Sequence, residues 1–116
     1  MTEIRQGDVY WFGFGAPSGS APAQMHPCVV VQGDPFNCSR IGTTVVCLIT
    51  SNPLRAAAPG NVPLRKGEGG LPKSCVVNVS QVYTVDKAEL TERIGHLPGP
   101  TIDTIRRGLV LLFERS

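Results

Sequence analysis

The stretch TTVVCLIT, residues 43–50, predicts a buried β-strand. A short continuous apolar run with turn residues at its ends is typical of such a strand. The same character recurs on both sides, in PCVVVQ at 27–32 and in SCVVNVSQVYTV at 74–85. Valine-rich segments pack well on a pleated surface, so these three segments predict a fold built mainly of β structure.

Shorter segments add further strands to this set. We predict them in GDVYWFGF at 7–14, NVPLR at 61–65 and TERIGHL at 91–97. Proline cannot donate to a strand ladder, so Pro63 favours an edge position for the second of these. The cluster GDPFNCSRIG at 33–42 predicts a turn, and Asp86 with Glu89 resembles a capping box that opens one turn of helix.

The last segment, PGPTIDTIRRGLVLLFE at 98–114, predicts an amphipathic helix. Pro100 lies near its start, and Ile102, Ile105, Leu109 and Leu112 follow at helical spacing. Gly108 should weaken this helix by about 1 kcal/mol relative to alanine. Several short strands with one covering helix predict a small barrel with a C-terminal α-helix.

Length and composition predict one globular domain, residues 1–116. The chain is 41% hydrophobic and 17% charged, and its 13 glycines and 10 prolines favour many turns over long helices. A net charge of +2 is compatible with a nucleic-acid partner but does not require one. The sequence shows neither a signal peptide nor a membrane span, so we expect a cytoplasmic protein with no membrane partner.

The four cysteines do not predict a metal site, since Cys28, Cys38, Cys47 and Cys75 have no ligand spacing. We therefore expect neither a metal nor another cofactor. In a reducing compartment Cys28, Cys47 and Cys75 should act as small hydrophobic residues in strands. Cys38, within a predicted loop, should be the exposed thiol.

His26 is the first of two histidines and precedes Pro27 between a loop of small residues and a predicted strand. Binding and catalytic groups are often held where a loop meets a rigid element. His26 could instead be a partly exposed residue that only hydrogen-bonds the loop.

Motifs along nearly the whole chain resemble those of the MazF/PemK toxins, most of all the mycobacterial type. They are RQGDVYW, the loop GSAPA, PCVVVQGDPFN, VVCLITSN, PGNV, SCVVNVSQ and TVDKAELTERIG. The resemblance implies an SH3-like barrel that forms a homodimer, cleaves single-stranded RNA without a metal and is inhibited by a cognate antitoxin. The RNA would be mRNA, with tRNA and rRNA as further candidates.

The same resemblance implies catalytic roles for His26 and Thr50. The position before the proline is usually arginine in the family, and a threonine ends the third strand, as Thr50 does here. Attack by a 2′-hydroxyl needs a base, an acid and donors for the phosphorane charge. Histidine can donate or accept a proton near neutral pH, so we expect His26 to share in proton transfer. Thr50 could instead only bond nearby backbone.

Other residues are candidates for RNA binding. Ser18, Gly19 and Ser20 match the family loop that closes over RNA, and Gln81 matches a groove residue. Ser51 and Asn52 could hold a phosphate or simply form a turn. The basic side chains in and beside the Gly/Pro-rich loops would form an electrostatic wall or be merely solvated; they are Arg55, Arg65, Lys66 and Lys73.

Two classes of function therefore stand. One is a sequence-specific endoribonuclease toxin, and the other is a protein of the same barrel fold that binds an antitoxin or a protein target, as CcdB-like toxins do. Fold alone cannot separate them. The match at Thr50 and in the loop favours the nuclease, while histidine in place of arginine favours binding alone. For the homodimer we expect strands and the helix from Ile102 to Phe113 among the contacts.

Overall fold

The computed structural model describes residues 3–14 and 24–116, in which six strands form one curled antiparallel sheet with two helices. The elements are β1 (Asp8–Phe14), β2 (Gln24–Val30), α1 (Asp34–Asn37), β3 (Thr43–Thr50), β4 (Val62–Leu64), β5 (Cys75–Asp86), β6 (Glu92–His96) and α2 (Gly99–Phe113). The strand order is β4-β5-β3-β2-β1-β6. The predicted mainly β fold with a C-terminal helix is confirmed, and no helix in these two ranges could span a membrane.

Both faces of the sheet are covered, which explains the continuous apolar run of β3. Cys47 and Ile49 belong to the larger core, into which α2 inserts Ile105. Val46 belongs to a second core on the other face, which includes Ile4 and Leu90. Since successive side chains of a strand point to opposite faces, a strand buried on both sides needs apolar residues at every position.

A bulge interrupts the pairing of β3 with β5. Cys47 lies opposite Val82, but the next residue, Leu48, lies opposite Asn78, so residues 79–81 have no counterpart in β3. The side chain of Asn61 takes over part of the lost pairing, because its Oδ1 accepts the Val79 N–H at 3.0 Å. Bulges bend a strand and increase its twist, and this one therefore curls the sheet at β5.

The loop after β4 brings the two ends of the sheet together. A turn at Glu68–Gly70 packs against β6, and a Cβ atom on Gly95 would overlap the carbonyl oxygen of Gly69. Gly69 itself has a φ of 63°, a conformation that side-chain-bearing residues rarely adopt. Glycines on both sides of this contact allow the sheet to close into a half-barrel.

Two local features differ from the sequence expectations. Residues 34–37 of the predicted turn form the one-turn helix α1, whose last carbonyls accept from the Lys87 ammonium, at 2.8 Å for Asn37. So short a helix has no periodicity for a sequence pattern to show. In addition, β2 begins at Gln24 rather than Pro27, so His26 lies within the strand and not at its junction with the loop.

Helix α2 packs on the sheet through a glycine contact. A Cβ atom on Gly108 would overlap the carbonyl oxygen of Gly60, in the loop before β4. Gly108 therefore lowers helix propensity but permits the helix to approach this loop. Ile102 and Leu109 pack on the core as the spacing predicts, whereas Leu112 is exposed.

Gly108→Ala should lower the free energy of unfolding by about 1–3 kcal/mol, because backbone must move to admit the methyl group. The control is Gly42→Ala, just before β3, where an added Cβ meets nothing within 4 Å. That control should be neutral or slightly stabilising. Urea unfolding of both variants checks this, and a Gly108→Ala protein as stable as the wild type would contradict the contact.

Candidate nucleic-acid interface

His26 lies near the loop end of β2, where the pairing with β3 has already stopped. It pairs with Phe12 of β1, while the β2–β3 ladder ends at Cys28 and Leu48. The Val31 N–H donates to Val45 of β3, so by alternation along the strand Pro27 also directs its nitrogen toward β3. Proline has no N–H to donate, and the ladder between the two strands therefore ends beside His26.

Thr50 is the last residue of β3 and lies on the same sheet face as His26. The β2–β3 pairing ends at Cys28 and Leu48, two residues before His26 and Thr50, so the two residues lie at the same end of neighbouring strands. Thr50 is half-buried, and its Oγ1 accepts the Asn52 N–H at 3.2 Å. The two residues predicted to be catalytic thus lie at the same end of two neighbouring strands.

Three connected clefts extend from this strand end. The first, about 270 Å³, is lined by His26, Ser51, Lys73 and Cys75 among others. The second, about 460 Å³, shares Ser51 and Cys75 and adds Arg65. The third, about 640 Å³, shares Arg65 and adds Lys66. We call Lys73, Arg65 and Lys66 the basic track, because these three predicted RNA-binding residues follow one another along the clefts.

Other predicted residues have partners of their own or lie elsewhere. The Asn52 side chain accepts the Leu54 N–H at 3.1 Å and so begins the turn Pro53–Ala57, on which Arg55 is exposed outside the three clefts. Gln81 lies in the β5 bulge, where its Oε1 accepts from Asn78 at 2.9 Å. Ser18, Gly19 and Ser20 fall outside the residues that the structure describes.

A buried carboxylate was not singled out by the sequence. The Asp8 side chain is only 3% exposed and contacts His96 Nδ1 at 2.8 Å and Arg93 Nη2 at 3.2 Å. The backbone N–H of Arg5 also donates a hydrogen bond to the Asp8 carboxylate. This cluster ties β1 to β6, and its members lie far apart in sequence, so no local pattern indicates it.

The cysteines differ in their surroundings. Burial raises the pKa of both Cys28 and Cys47 to about 12. Burial also raises the pKa of Cys75, against the opposing charge of Lys73 in the same cleft. Cys38 is exposed, as predicted. Within residues 3–14 and 24–116 no three His, Cys, Asp or Glu side chains form a metal-binding group.

These features define a small β half-barrel with a cleft system at one end of its central strands. The model of the PemK-like, MazF-like toxin family of type II toxin-antitoxin systems matches residues 5–113. The chain belongs to this family.

Relatives and solved structures agree with this assignment. The chain is 43% identical over 106 residues to endoribonuclease MazF6 of Mycobacterium tuberculosis, covering 91% of this chain and 93% of the relative. Identity to endoribonuclease EndoA of Bacillus subtilis is 30% over 107 residues, covering 91% and 90%. The fold matches MazF in a MazE-MazF structure from Deinococcus radiodurans with a TM-score of 0.79 and 20% identity over the whole of both chains.

The thiols provide a test of the burial pattern. At pH 8 in the native state only Cys38 should react rapidly with a disulfide reagent, because the thiolate is the reactive form and the raised pKa values keep the buried thiols protonated. Cys38→Ser should abolish the rapid phase, and unfolding should release the other three thiols. A native rapid phase of two or more equivalents would contradict the structure.

Proposed function

We propose that this protein is a sequence-specific, metal-independent endoribonuclease that cleaves single-stranded RNA and thereby inhibits translation and growth. The observation that carries the proposal is the position of His26 on a cleft that it shares with Lys73 of the basic track, with Thr50 at the same strand end. The two relatives above, which are named endoribonucleases, support it. An RNA substrate and the cytoplasm as its location follow from this activity, performed by residues 1–116 as one domain.

The proposed chemistry is attack by the 2′-hydroxyl on the adjacent phosphorus. The P–O5′ bond breaks, a base takes the 2′ proton, and an acid returns a proton to the leaving 5′-oxygen, giving a 2′,3′-cyclic phosphate. We assign the acid, or a share of proton transfer, to His26. Thr50 Oγ1 accepts one hydrogen bond from Asn52, so its O–H can still donate to a phosphate oxygen as charge develops there.

The basic track would hold the RNA backbone. Its three cations are exposed and follow the clefts away from His26, which suits a series of phosphates. Such contacts contribute affinity with little sequence preference and weaken as salt rises. Ser51 lines two of the three clefts and is therefore placed to contact a phosphate near the scissile bond. Asn52, Arg55, Gln81 and the loop residues Ser18, Gly19 and Ser20 stay as candidates for further RNA contacts.

We also propose a homodimer and a cognate antitoxin as partners. The last turn of α2 exposes apolar side chains, among them Val110 and Phe113, the latter 73% exposed. Ile105 is buried against the chain's own sheet and is not available to a partner subunit. We therefore restrict the proposed dimer contact of α2 to its last turn. A structural neighbour from a mycobacterial species is an endoribonuclease in complex with its cognate antitoxin. An acidic or apolar antitoxin segment that folds into the clefts would suit the basic track.

Cleavage of a long unstructured RNA in the presence of a chelator tests the proposal. We expect cuts at defined sequences, and His26→Ala should slow them on the order of 10²- to 10⁴-fold if proton transfer is lost. His26→Arg should retain charge stabilisation and should therefore lose less activity than His26→Ala.

Two controls separate the outcomes. His96→Gln alters the other histidine but can keep a donor to Asp8, and it should leave the cleavage rate unchanged. Lys73→Met should reduce the salt dependence of RNA binding. Absence of RNA cleavage, with an antitoxin or another protein bound instead, would replace the nuclease by the binding-only alternative. Equal rates for all His26 variants would remove that residue from the chemistry.

The dimer has its own test. Phe113→Asp should convert a dimer into a monomer of 12.4 kDa in light scattering at micromolar concentration, because it places a charge in the apolar last turn of α2. The matched control is Leu54→Asp, which alters an apolar residue that is 82% exposed on the turn after β3. A wild-type protein that is already monomeric would refute the proposal.

A further inference from the structure

An aromatic cluster lies on the same sheet face as His26. Phe12 and Phe14 of β1 meet edge to face with ring centroids 4.8 Å apart, and Tyr83 of β5 meets Phe14 at 4.9 Å. The ring of His26 lies 6.3 Å from that of Phe14. Tyr83 is 40% exposed, whereas the phenylalanines are half-buried against the smaller core. The cluster of Phe12, Phe14 and Tyr83 therefore extends from the proposed catalytic histidine to the surface.

A cleft of about 270 Å³ borders this cluster and differs in charge from the basic track. Among the residues that the structure describes, its lining includes Asp86 and Glu89 together with the three aromatic residues, but no lysine or arginine. Both carboxylates are exposed. Such a cleft repels phosphate, but it can accept hydrogen bonds from a flat group that stacks on the rings.

We propose that the aromatic cluster binds one unpaired base of the RNA next to the cleavage site, and that Asp86 and Glu89 select a base with an exocyclic amino group. The inference rests on the proposed RNA cleavage. Single-stranded RNA is recognised largely by stacking of splayed bases on aromatic side chains. Carboxylates accept from amino groups such as cytosine N4, whereas uracil presents a carbonyl at the same position. The basic track binds backbone, and the cluster reads a base.

The geometry favours a base over a protein side chain as the occupant. Phe14 lines the cleft and its ring lies 6.3 Å from that of His26, so the backbone of a nucleotide held there can continue past the histidine to Ser51 and the basic track. The separation of aromatic and acidic groups from cationic groups matches the separation of base and phosphate within a nucleotide. A second copy of the chain or an antitoxin segment would be the alternative occupant.

The test compares binding of deoxycytidine and deoxyuridine decamers, which lack the 2′-hydroxyl and cannot be cleaved by its attack. At fixed salt, wild-type protein should bind the cytidine decamer several-fold more tightly. Tyr83→Ala should weaken binding of both by roughly 5- to 100-fold, the range expected for loss of one stacked base, while Tyr83→Phe should retain it. The control Phe36→Ala removes an aromatic ring that is 61% exposed and outside the cluster.

The double variant Asp86→Asn with Glu89→Gln should abolish the preference for cytidine while leaving uridine binding unchanged or stronger. The inference is overturned if Tyr83→Ala protein binds both decamers as the wild type does. It is also overturned if this variant loses dimerisation or antitoxin binding while its RNA binding stays intact. If the wild type cleaves long RNA but these variants have no effect, only this inference fails. If the wild type neither binds nor cleaves RNA, the proposed function fails with it.

Discussion

The side chain of Asn61 holds the bend on which the shape of the sheet depends. Its Oδ1 accepts the Val79 N–H, and its Nδ2 donates to Arg55 O at 2.9 Å and to Asn78 Oδ1 at 3.3 Å. A bulge costs ladder hydrogen bonds, and buried backbone groups left without partners would make it unfavourable. One amide thus supplies a partner to the bulge and ties it to the turn after β3.

The bend places groups of opposite character on the two sides of the strand end. Before the bulge, β5 pairs with β4 and adjoins the loops that carry the basic track. After the bulge, the same strand carries Tyr83 and ends at Asp86 beside the aromatic residues of β1. A single bent strand can therefore present cations along one path and rings with carboxylates along another. Gln81 lies between them and stabilises the bulge through Asn78.

The sequence predicts the parts of this structure that depend on local pattern. The strand at 43–50 is confirmed residue for residue, and α2 differs from its prediction by one residue at each end. The bulge could not be predicted, because it depends on Asn61, which is distant from Val79 along the chain. Helix α1 is too short to show a period, and the Asp8 cluster joins residues from opposite ends of the sequence. For the site, the position of His26 and Thr50 at the same end of neighbouring strands follows from the strand pattern, whereas the connection of Lys73, Arg65 and Lys66 through shared clefts needs the loop conformations.

Pro27 has a consequence for the energetics of binding. A residue with an N–H at this position could extend the β2–β3 ladder toward Thr50, and a ligand would then have to break those hydrogen bonds to enter. With proline the N–H needed for this extension is missing, so no such hydrogen bond has to be broken when a ligand binds beside His26. The affinity of the site therefore does not include the cost of breaking it.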